Sequence, residues 1–219
     1  AKLKAASISR VLGVLLKNVK LAVLADADNI ESGLAYLLQR TGNRDITIIR
    51  VKPQVKLPTI TVWGSPAELF AGLEEAVRQG KNALFFADSV DKTKQVGELV
   101  KQLEKELGTE IPIAIVNSET SGEPEIKELL ADVNGGVEKL RVLAYTPTIG
   151  SGVSIQTDHF HVHLGVCNGA IGPNESIQLM RRDRTAENIN LAFDGQAIRY
   201  EPVAAGRLIE RWVKRGVVD

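Results

Sequence analysis

The chain has 219 residues, with 27 basic and 27 acidic side chains, so its formal net charge is zero. This length and a hydrophobic share of 44% are typical of a globular protein with a full core. Balanced charge excludes a general electrostatic attraction to nucleic acid or membrane, so any basic surface must be local. The single cysteine, Cys167, excludes an internal disulfide framework and favours a reducing, cytoplasmic location.

The amino-terminal residues do not resemble a secretory signal or a membrane span. The segment AKLKAASISRVLGVLLKN is interrupted by charges and lacks a cleavage-site pattern. No apolar run approaches the roughly 20 residues that a spanning helix requires. We therefore expect that the chain does not associate with a membrane.

Segments with helical periodicity alternate along the chain with short apolar segments typical of strands. Helices are predicted at about 3–16, 30–41, 65–80, 90–107, 123–133, 174–182 and 203–215. Strands are predicted at 20–25, 46–51, 59–63, 82–87, 112–116, 141–145, 160–166 and 188–193.

The helix at 65–80 has the clearest boundaries. Ser65 suits the N-cap, Pro66 suits the first turn, and Glu68 stands where a capping box needs an acidic side chain. Gly80 suits the left-handed conformation that ends many helices.

Alternating helices and buried strands predict a three-layer αβα fold with a mainly parallel sheet. We predict a single domain over 1–219. Ligands of such sheets bind at the carboxyl ends of the strands, so the residues that follow each strand are candidates for a site.

Polar and small residues follow three of the predicted strands. Asp88 and Ser89 follow the strand at 82–87, residues 117–120 follow the strand at 112–116, and residues 146–154 follow the strand at 141–145. Hydroxyl groups and backbone amides at this edge suit contacts to phosphate groups.

Four segments resemble the motifs of superfamily 2 helicases. The segment LADADN stands in the place of the third motif, 86–89 resembles the fourth, 146–155 (TPTIGSGVSI) the fifth, and 178–184 (QLMRRDR) the sixth. The chain is most similar to the helicase portion of herpesvirus origin-binding proteins and cyanobacterial plasmid replication proteins. The resemblance implies the C-terminal RecA-like lobe of a replicative DNA helicase, with 1–29 as the possible tail of the preceding lobe.

The resemblance also implies roles for individual residues. The resemblance implies that one or more arginines act as a finger on the nucleotide. In the common pattern the second arginine follows the first by three residues. Here Arg184 follows Arg182 by two residues and Arg181 by three, so the choice among these three arginines stays open. The implied catalytic residues are Arg182, Arg184 and Gln178, the nucleotide neighbours are Gly152, Gln178 and Arg181, and the contacts to single-stranded DNA are Ser89, Thr146, Thr148 and Ser151.

The sequence contains no phosphate loop of the form G-x-x-x-x-G-K-[ST]. Its only Gly-Lys pair, Gly80-Lys81, lacks both the upstream glycine and a following serine or threonine. We therefore expect ATP and Mg²⁺ to be held by an N-terminal phosphate-loop lobe, and this chain alone not to hydrolyse ATP.

Two other classes of function remain open. The segment LAVLADADNI resembles the opening of NYN (PIN-like) nucleases, in which Asp26 and Asp28, assisted by Asp88, would bind a metal, and a Toprim-like metal site is a variant of this hypothesis. It leaves the segments at 146–154 and 178–184 unexplained. A non-catalytic interaction domain, without any phosphate-loop lobe as partner, is the third hypothesis.

Three histidines, His159, His161 and His163, would share one face of the strand at 160–166. Residues on one side of a strand lie roughly 6.5–7 Å apart, and one strand rarely converges three ligands on one ion. We therefore predict partly buried, hydrogen-bonded histidines and no metal site. Cys167 is predicted to be a small core residue.

Overall fold

The computed structural model describes residues 2–20, 57–150 and 152–194, with positions 23, 39, 47 and 49. The chain divides into two compact units, Ala1–Gln54 with Glu201–Asp219, and Val55–Tyr200. The assignment of 1–219 to a single domain stays a prediction.

The first unit contains helix α1 (Lys2–Asn18), which confirms the helix predicted at 3–16. Apart from residues 20, 23, 39, 47 and 49, the elements predicted at 20–25, 30–41, 46–51 and 203–215 lie outside the described residues. Among the helices that are described, none has the length and apolar character needed to cross a membrane.

The second unit alternates strands with helices, as predicted. The strands are β1 (Thr59–Trp63), β2 (Ala83–Ala87), β3 (Ile113–Val116), β4 (Val142–Tyr145), β5 (Val162–Cys167) and β6 (Asn188–Phe193). The helices are α2 (Pro66–Arg78), α3 (Val90–Leu107), α4 (Pro124–Ala131), α5 (Val133–Val137) and α6 (Pro173–Met180), and a 3-10 turn spans Pro147–Ile149.

All six strands form one parallel sheet in the order β1-β6-β5-β2-β4-β3. Strand β2 lies inside the sheet between β5 and β4, and all five of its residues are buried. Its Leu84 aligns with His163 on one side and Leu143 on the other. The predicted α/β class with a parallel sheet is confirmed.

Each face of the sheet is covered by its own hydrophobic cluster. Phe85 faces one cluster, which includes Leu73 of α2 and Val100 of α3. Phe86 faces the other cluster, which includes Ile126 of α4 and Leu179 of α6. Because neighbouring residues of a strand point to opposite faces, the continuous apolar run of β2 requires helices on both sides.

The caps of α2 follow the sequence closely. The hydroxyl of Ser65 accepts the Glu68 N–H at 3.3 Å, and the Glu68 carboxylate accepts the N–H of Gly64 at 3.3 Å. The Glu68 carboxylate thus binds the N–H of the residue before the N-cap, whereas in a standard capping box it binds the N–H of the N-cap residue itself. Gly80 has φ of 79°, the left-handed conformation predicted for it.

The helix predicted at 123–133 is confirmed as α4 over Pro124–Ala131, but it ends two residues earlier than predicted, because it breaks at Asp132. Asp132 has non-helical dihedrals, with φ of −134° and ψ of 78°, and its side chain accepts the Gly135 N–H at 3.2 Å. An aspartate that binds a nearby backbone amide competes with helical hydrogen bonding and starts a new helix. Helix α5 therefore follows α4 as a separate element.

Phe85→Ala should lower the free energy of unfolding by about 3–5 kcal/mol, because the ring is fully buried in the central strand and its removal leaves a cavity. Val62→Ala in edge strand β1 is the control, since Val62 is 61% exposed, and it should cost less than about 1 kcal/mol. Urea denaturation measures both changes. Equal losses would contradict the assignment of β2 to the sheet interior.

Candidate functional site

Parallel pairing brings the loops after β2, β3, β4 and β5 to the same edge of the sheet. Asp88, at the end of β2, joins two of these loops. Its two carboxylate oxygens accept the N–H groups of Asn168 at 2.7 Å and Ala170 at 2.8 Å. Both oxygens of Asp88 therefore hold the loop after β5.

The loop after β3 is braced by Asn117, which is only 1% exposed. Its side-chain amide donates to the Thr93 hydroxyl at 3.1 Å, and its oxygen accepts the N–H groups of Glu119 at 2.8 Å and Thr120 at 3.2 Å. A buried amide needs such partners, because an unsatisfied polar group in a core is costly. The polar residues expected here thus serve mainly to shape the loop.

The segment 146–155, called the β4 loop below, starts in a tight turn. Thr146 is 3% exposed, its N–H donates to the Val116 carbonyl at 2.9 Å, and its hydroxyl donates to the Thr148 hydroxyl at 3.1 Å. Thr148 itself is exposed on the 3-10 turn. Thr146 therefore supports the turn, and Thr148 faces solvent.

Two other residues predicted for the site are open to a ligand. Ser89 is the half-buried N-cap residue of α3, and its hydroxyl makes no capping hydrogen bond. Gly152 is exposed, with φ of 98° and no atom within 4 Å of the position that a Cβ would take. Ser151 lies outside the described residues.

Helix α6 runs antiparallel to β5 and leads away from this edge. A Cβ on Gly165 of β5 would lie 3.0 Å from the Met180 sulfur, so glycine is what permits this close approach. The buried hydroxyl of Tyr145 donates to the Leu179 carbonyl at 2.6 Å, and burial raises its pKa, which keeps it a donor. Gln178 is exposed on the same helix.

Residues 181–184, called the arginine segment below, follow α6 and pair with the β4 loop. The N–H of Ile155 donates to the Arg182 carbonyl at 2.8 Å, and the Arg184 N–H donates to the Ile155 carbonyl at 2.9 Å. Ile155 is fully buried. The structure thus joins two sets of predicted site residues, those of the β4 loop and the arginines, by backbone hydrogen bonds.

The three arginines differ in their surroundings. The guanidinium of Arg182 is half-buried and donates through Nη1 to the Val153 carbonyl at 3.2 Å, whereas its buried Nε has no hydrogen-bond partner among the described residues. Arg181 is half-buried and Arg184 is exposed. Arg182 is therefore tied to the β4 loop, and Arg184 is the arginine most open to a ligand.

Sequence reasoning missed the role of Asp183, which is 2% exposed between two arginines. Its Oδ2 lies 2.9 Å from Nε2 of His163, and its Oδ1 accepts the N–H of Thr185 at 2.9 Å and the Thr185 hydroxyl at 2.6 Å. Burial alone would raise the pKa of Asp183, but the hydrogen bonds from His163 and Thr185 outweigh it and lower the pKa below 3.8. Its only signal in the sequence was an acidic residue among arginines.

The predicted hydrogen bonding of the histidines is confirmed. The predicted partial burial is wrong for His161, which is exposed, and the common strand face is wrong because β5 begins only at Val162. A ring nitrogen of His159 lies 2.7 Å from the Leu140 carbonyl oxygen, and Nδ1 of His161 accepts the Asn82 N–H at 3.0 Å. Only His163 lies in the strand. Over the described ranges, no three His, Cys, Asp or Glu side chains are grouped to hold a metal ion.

The remaining candidates for nucleophilic and metal chemistry are placed as follows. Cys167 is 5% exposed at the end of β5, and burial raises the pKa of its thiol to about 11. Its burial confirms the prediction of a core residue. A thiol with this pKa carries little thiolate at neutral pH. Asp26 and Asp28 lie outside the described residues.

Asp183→Asn should remove a pH-dependent part of the stability. The folded-state pKa of Asp183 lies below its ordinary 3.8, so the ionised carboxylate stabilises the fold at neutral pH. This stabilisation is lost as the pH falls from the ordinary pKa through the lower, folded-state pKa. The difference in unfolding free energy between wild type and variant should be constant above about pH 5 and shrink below about pH 4. Urea denaturation from acidic to neutral pH measures it, and a constant difference throughout would contradict a charged Asp183.

No family model and no curated protein matches the sequence. The fold resembles that of a variant of S. cerevisiae Dbp5 bound to Gle1 and IP6, with a TM-score of 0.51 and 16% identity, over 100% of this chain and 60% of that one. It also resembles Mycobacterium smegmatis helicase Lhr bound to ssDNA and AMP-PNP, with a TM-score of 0.48 and 14% identity, over 73% of this chain and 22% of that one. The chain therefore spans less than two thirds of either protein. At this identity the likeness shows the fold alone, a six-stranded parallel sheet covered by helices.

Proposed function

We propose that the chain is the second motor lobe of an ATP-dependent DNA helicase that acts in replication in the cytoplasm. The observation that carries this proposal is the pairing of Ile155 with Arg182 and Arg184. This pairing connects a loop whose groups suit contacts to a nucleic-acid backbone with arginines that suit contacts to the phosphates of a nucleotide. A motor needs such a connection, because its nucleotide and nucleic-acid sites must influence each other.

In this proposal, a separate phosphate-loop lobe holds ATP and Mg²⁺, since the sequence has no phosphate loop of its own. This chain provides positive charge to the phosphoryl group in the transition state. A guanidinium is permanently charged and forks onto phosphate oxygens. We assign the finger to Arg184, which is exposed, and a supporting position to Arg182, which is bonded to Val153. Gln178, Arg181 and Gly152 would border the nucleotide.

The nucleic-acid contacts are proposed at the carboxyl edge of the sheet. The exposed Thr148 hydroxyl and the uncapped Ser89 hydroxyl lie on loops after neighbouring strands. Such groups suit phosphate oxygens of a single strand and read no base sequence. Thr146 would act through the turn that it supports, and Ser151 would join these contacts.

The nuclease hypothesis has less support. It needs Asp88 to assist Asp26 and Asp28 on a metal ion, whereas both oxygens of Asp88 accept backbone amides. The hypothesis of a non-catalytic interaction domain differs from ours in one respect that can be measured, because it requires no effect of the arginines on ATP hydrolysis.

The isolated chain should show no ATP hydrolysis. In the protein that contains both lobes, Arg184→Ala should lower nucleic-acid-stimulated turnover by about 10³–10⁵-fold, because an arginine finger acts on charge that develops in the transition state. Nucleotide affinity should change far less, and melting temperature should barely change, since Arg184 is exposed.

Lys105→Ala is the matched control, because Lys105 is an exposed cation at the far end of α3. Steady-state turnover, nucleotide binding and thermal melting are measured for both variants. Wild-type turnover in Arg184→Ala and Arg182→Ala alike would contradict the proposed function, as would robust turnover by the isolated chain.

Thr148→Ala should weaken binding of single-stranded DNA by the two-lobe protein and reduce the slope of affinity against salt concentration. A lost phosphate contact weakens binding to all sequences equally. Thr109→Ala is the control, because Thr109 is an exposed threonine in the loop that leads into β3, at the opposite edge of the sheet. Fluorescence titrations at several salt concentrations measure the effect. Unchanged affinity and slope in Thr148→Ala would exclude this turn from the DNA interface.

A further inference from the structure

Asp183 stands out as a buried charge in a segment whose other side chains are partly or fully open. The side chain of Asp183 is fully buried, and that of its partner His163 is 7% exposed. A carboxylate is stable in such surroundings only when its oxygens are hydrogen-bonded or paired with a positive charge. The contacts of Asp183 therefore determine where the arginine segment can lie.

The carboxylate connects two parts of the fold. Oδ2 meets Nε2 of His163 at 2.9 Å, which ties the arginine segment to strand β5 in the sheet. Oδ1 accepts both the N–H and the hydroxyl of Thr185, which closes a turn directly after the segment. Since an ionised carboxylate only accepts hydrogen bonds, Nε2 of His163 is the donor.

The backbone on either side of Asp183 makes a third connection. Arg182 and Arg184, its immediate neighbours, hold the two backbone hydrogen bonds to Ile155. Strand β5, the β4 loop and the arginine segment therefore meet at Asp183. A displacement of Asp183 would therefore move the backbone that carries both arginine side chains together with the end of the β4 loop.

We propose that Asp183 is a positioning residue, and that its bond to His163 and the Ile155 pairing together hold Arg182 and Arg184 in a fixed relation to the β4 loop. The anchoring concerns the chain itself. Its consequence for catalysis rests on the proposed function, in which these arginines act on a nucleotide and the β4 loop contacts DNA.

The anchoring is tested on this chain by amide hydrogen exchange, read residue by residue by NMR. In Asp183→Ala, the amides of Ile155 and Arg184 should exchange at least ~10-fold faster relative to those of strand β2, because only the local opening becomes easier. Asp183→Asn should keep their protection, since an asparagine can accept from Thr185 and donate to His163 in its other tautomer.

Leu73→Ala is the control for general destabilisation, because Leu73 is fully buried in the cluster on the other face of the sheet. It should accelerate exchange throughout the core without singling out Ile155 and Arg184. If Asp183→Ala shows the same uniform pattern, the positioning role is overturned. If Asp183→Ala does not fold, Thr185→Ala replaces it, with the same local loss of protection expected and the same uniform pattern as the contrary result.

The catalytic consequence is tested in the protein that contains both lobes. Asp183→Ala should lower the turnover number on the order of 10²-fold, because small displacements of catalytic groups have effects of this size. The KM for nucleotide should change little. Asp183→Asn should recover most of the lost turnover. If Arg184→Ala abolishes turnover while Asp183→Ala does not, the positioning proposal is wrong and the proposed function stands. If neither affects turnover, the proposed function fails, and hydrogen exchange still decides the anchoring.

Discussion

The burial of both faces of the central strand β2 is the constraint on which the rest of this structure depends. Phe85 and Phe86 point to opposite hydrophobic clusters, so helices must cover both sides of the sheet. The connection from each strand to the next then crosses a face of the sheet, so that all six strands run parallel. Parallel strands place every strand-to-helix loop at one edge, which is why Ser89, Thr146 and Thr148 lie near one another although up to 59 residues separate them along the chain.

The arginines do not lie at that edge, because α6 carries the chain back along β5. Its last residue, Met180, packs against Gly165, and Asp183 meets His163 near the start of the strand. His163 and Cys167 are four strand positions apart, which corresponds to about 13 Å. The β4 loop covers this distance, since it begins at the edge with Thr146 and ends at the arginine segment with Ile155. The two candidate binding regions are therefore separate and joined by one short segment.

Electrostatics within the arginine segment combine a buried anion with cations of different exposure. Asp183 is held by His163 and Thr185, Arg182 is tied to a backbone carbonyl, and Arg184 is open to solvent. A phosphate group approaching this surface would meet the guanidinium of Arg184 with the carboxylate turned inward, so the acidic neighbour does not repel it directly. A chain of zero net charge can present a local cationic site in this way.

Apolar periodicity, cap residues and polar residues after strands were enough to predict the α/β class, helix α3 to the residue and the caps of α2, because these depend on interactions between neighbours in sequence. The break at Asp132 was missed, since a side chain there competes with the helix. The motif resemblance singled out the β4 loop and the arginines. Only the tertiary structure decided that Thr146 is buried, that Asp88 holds a loop, and that Asp183 pairs with His163 twenty residues earlier in the chain. Such pairings arise from the packing of α6 on β5, which brings together side chains that no local pattern relates.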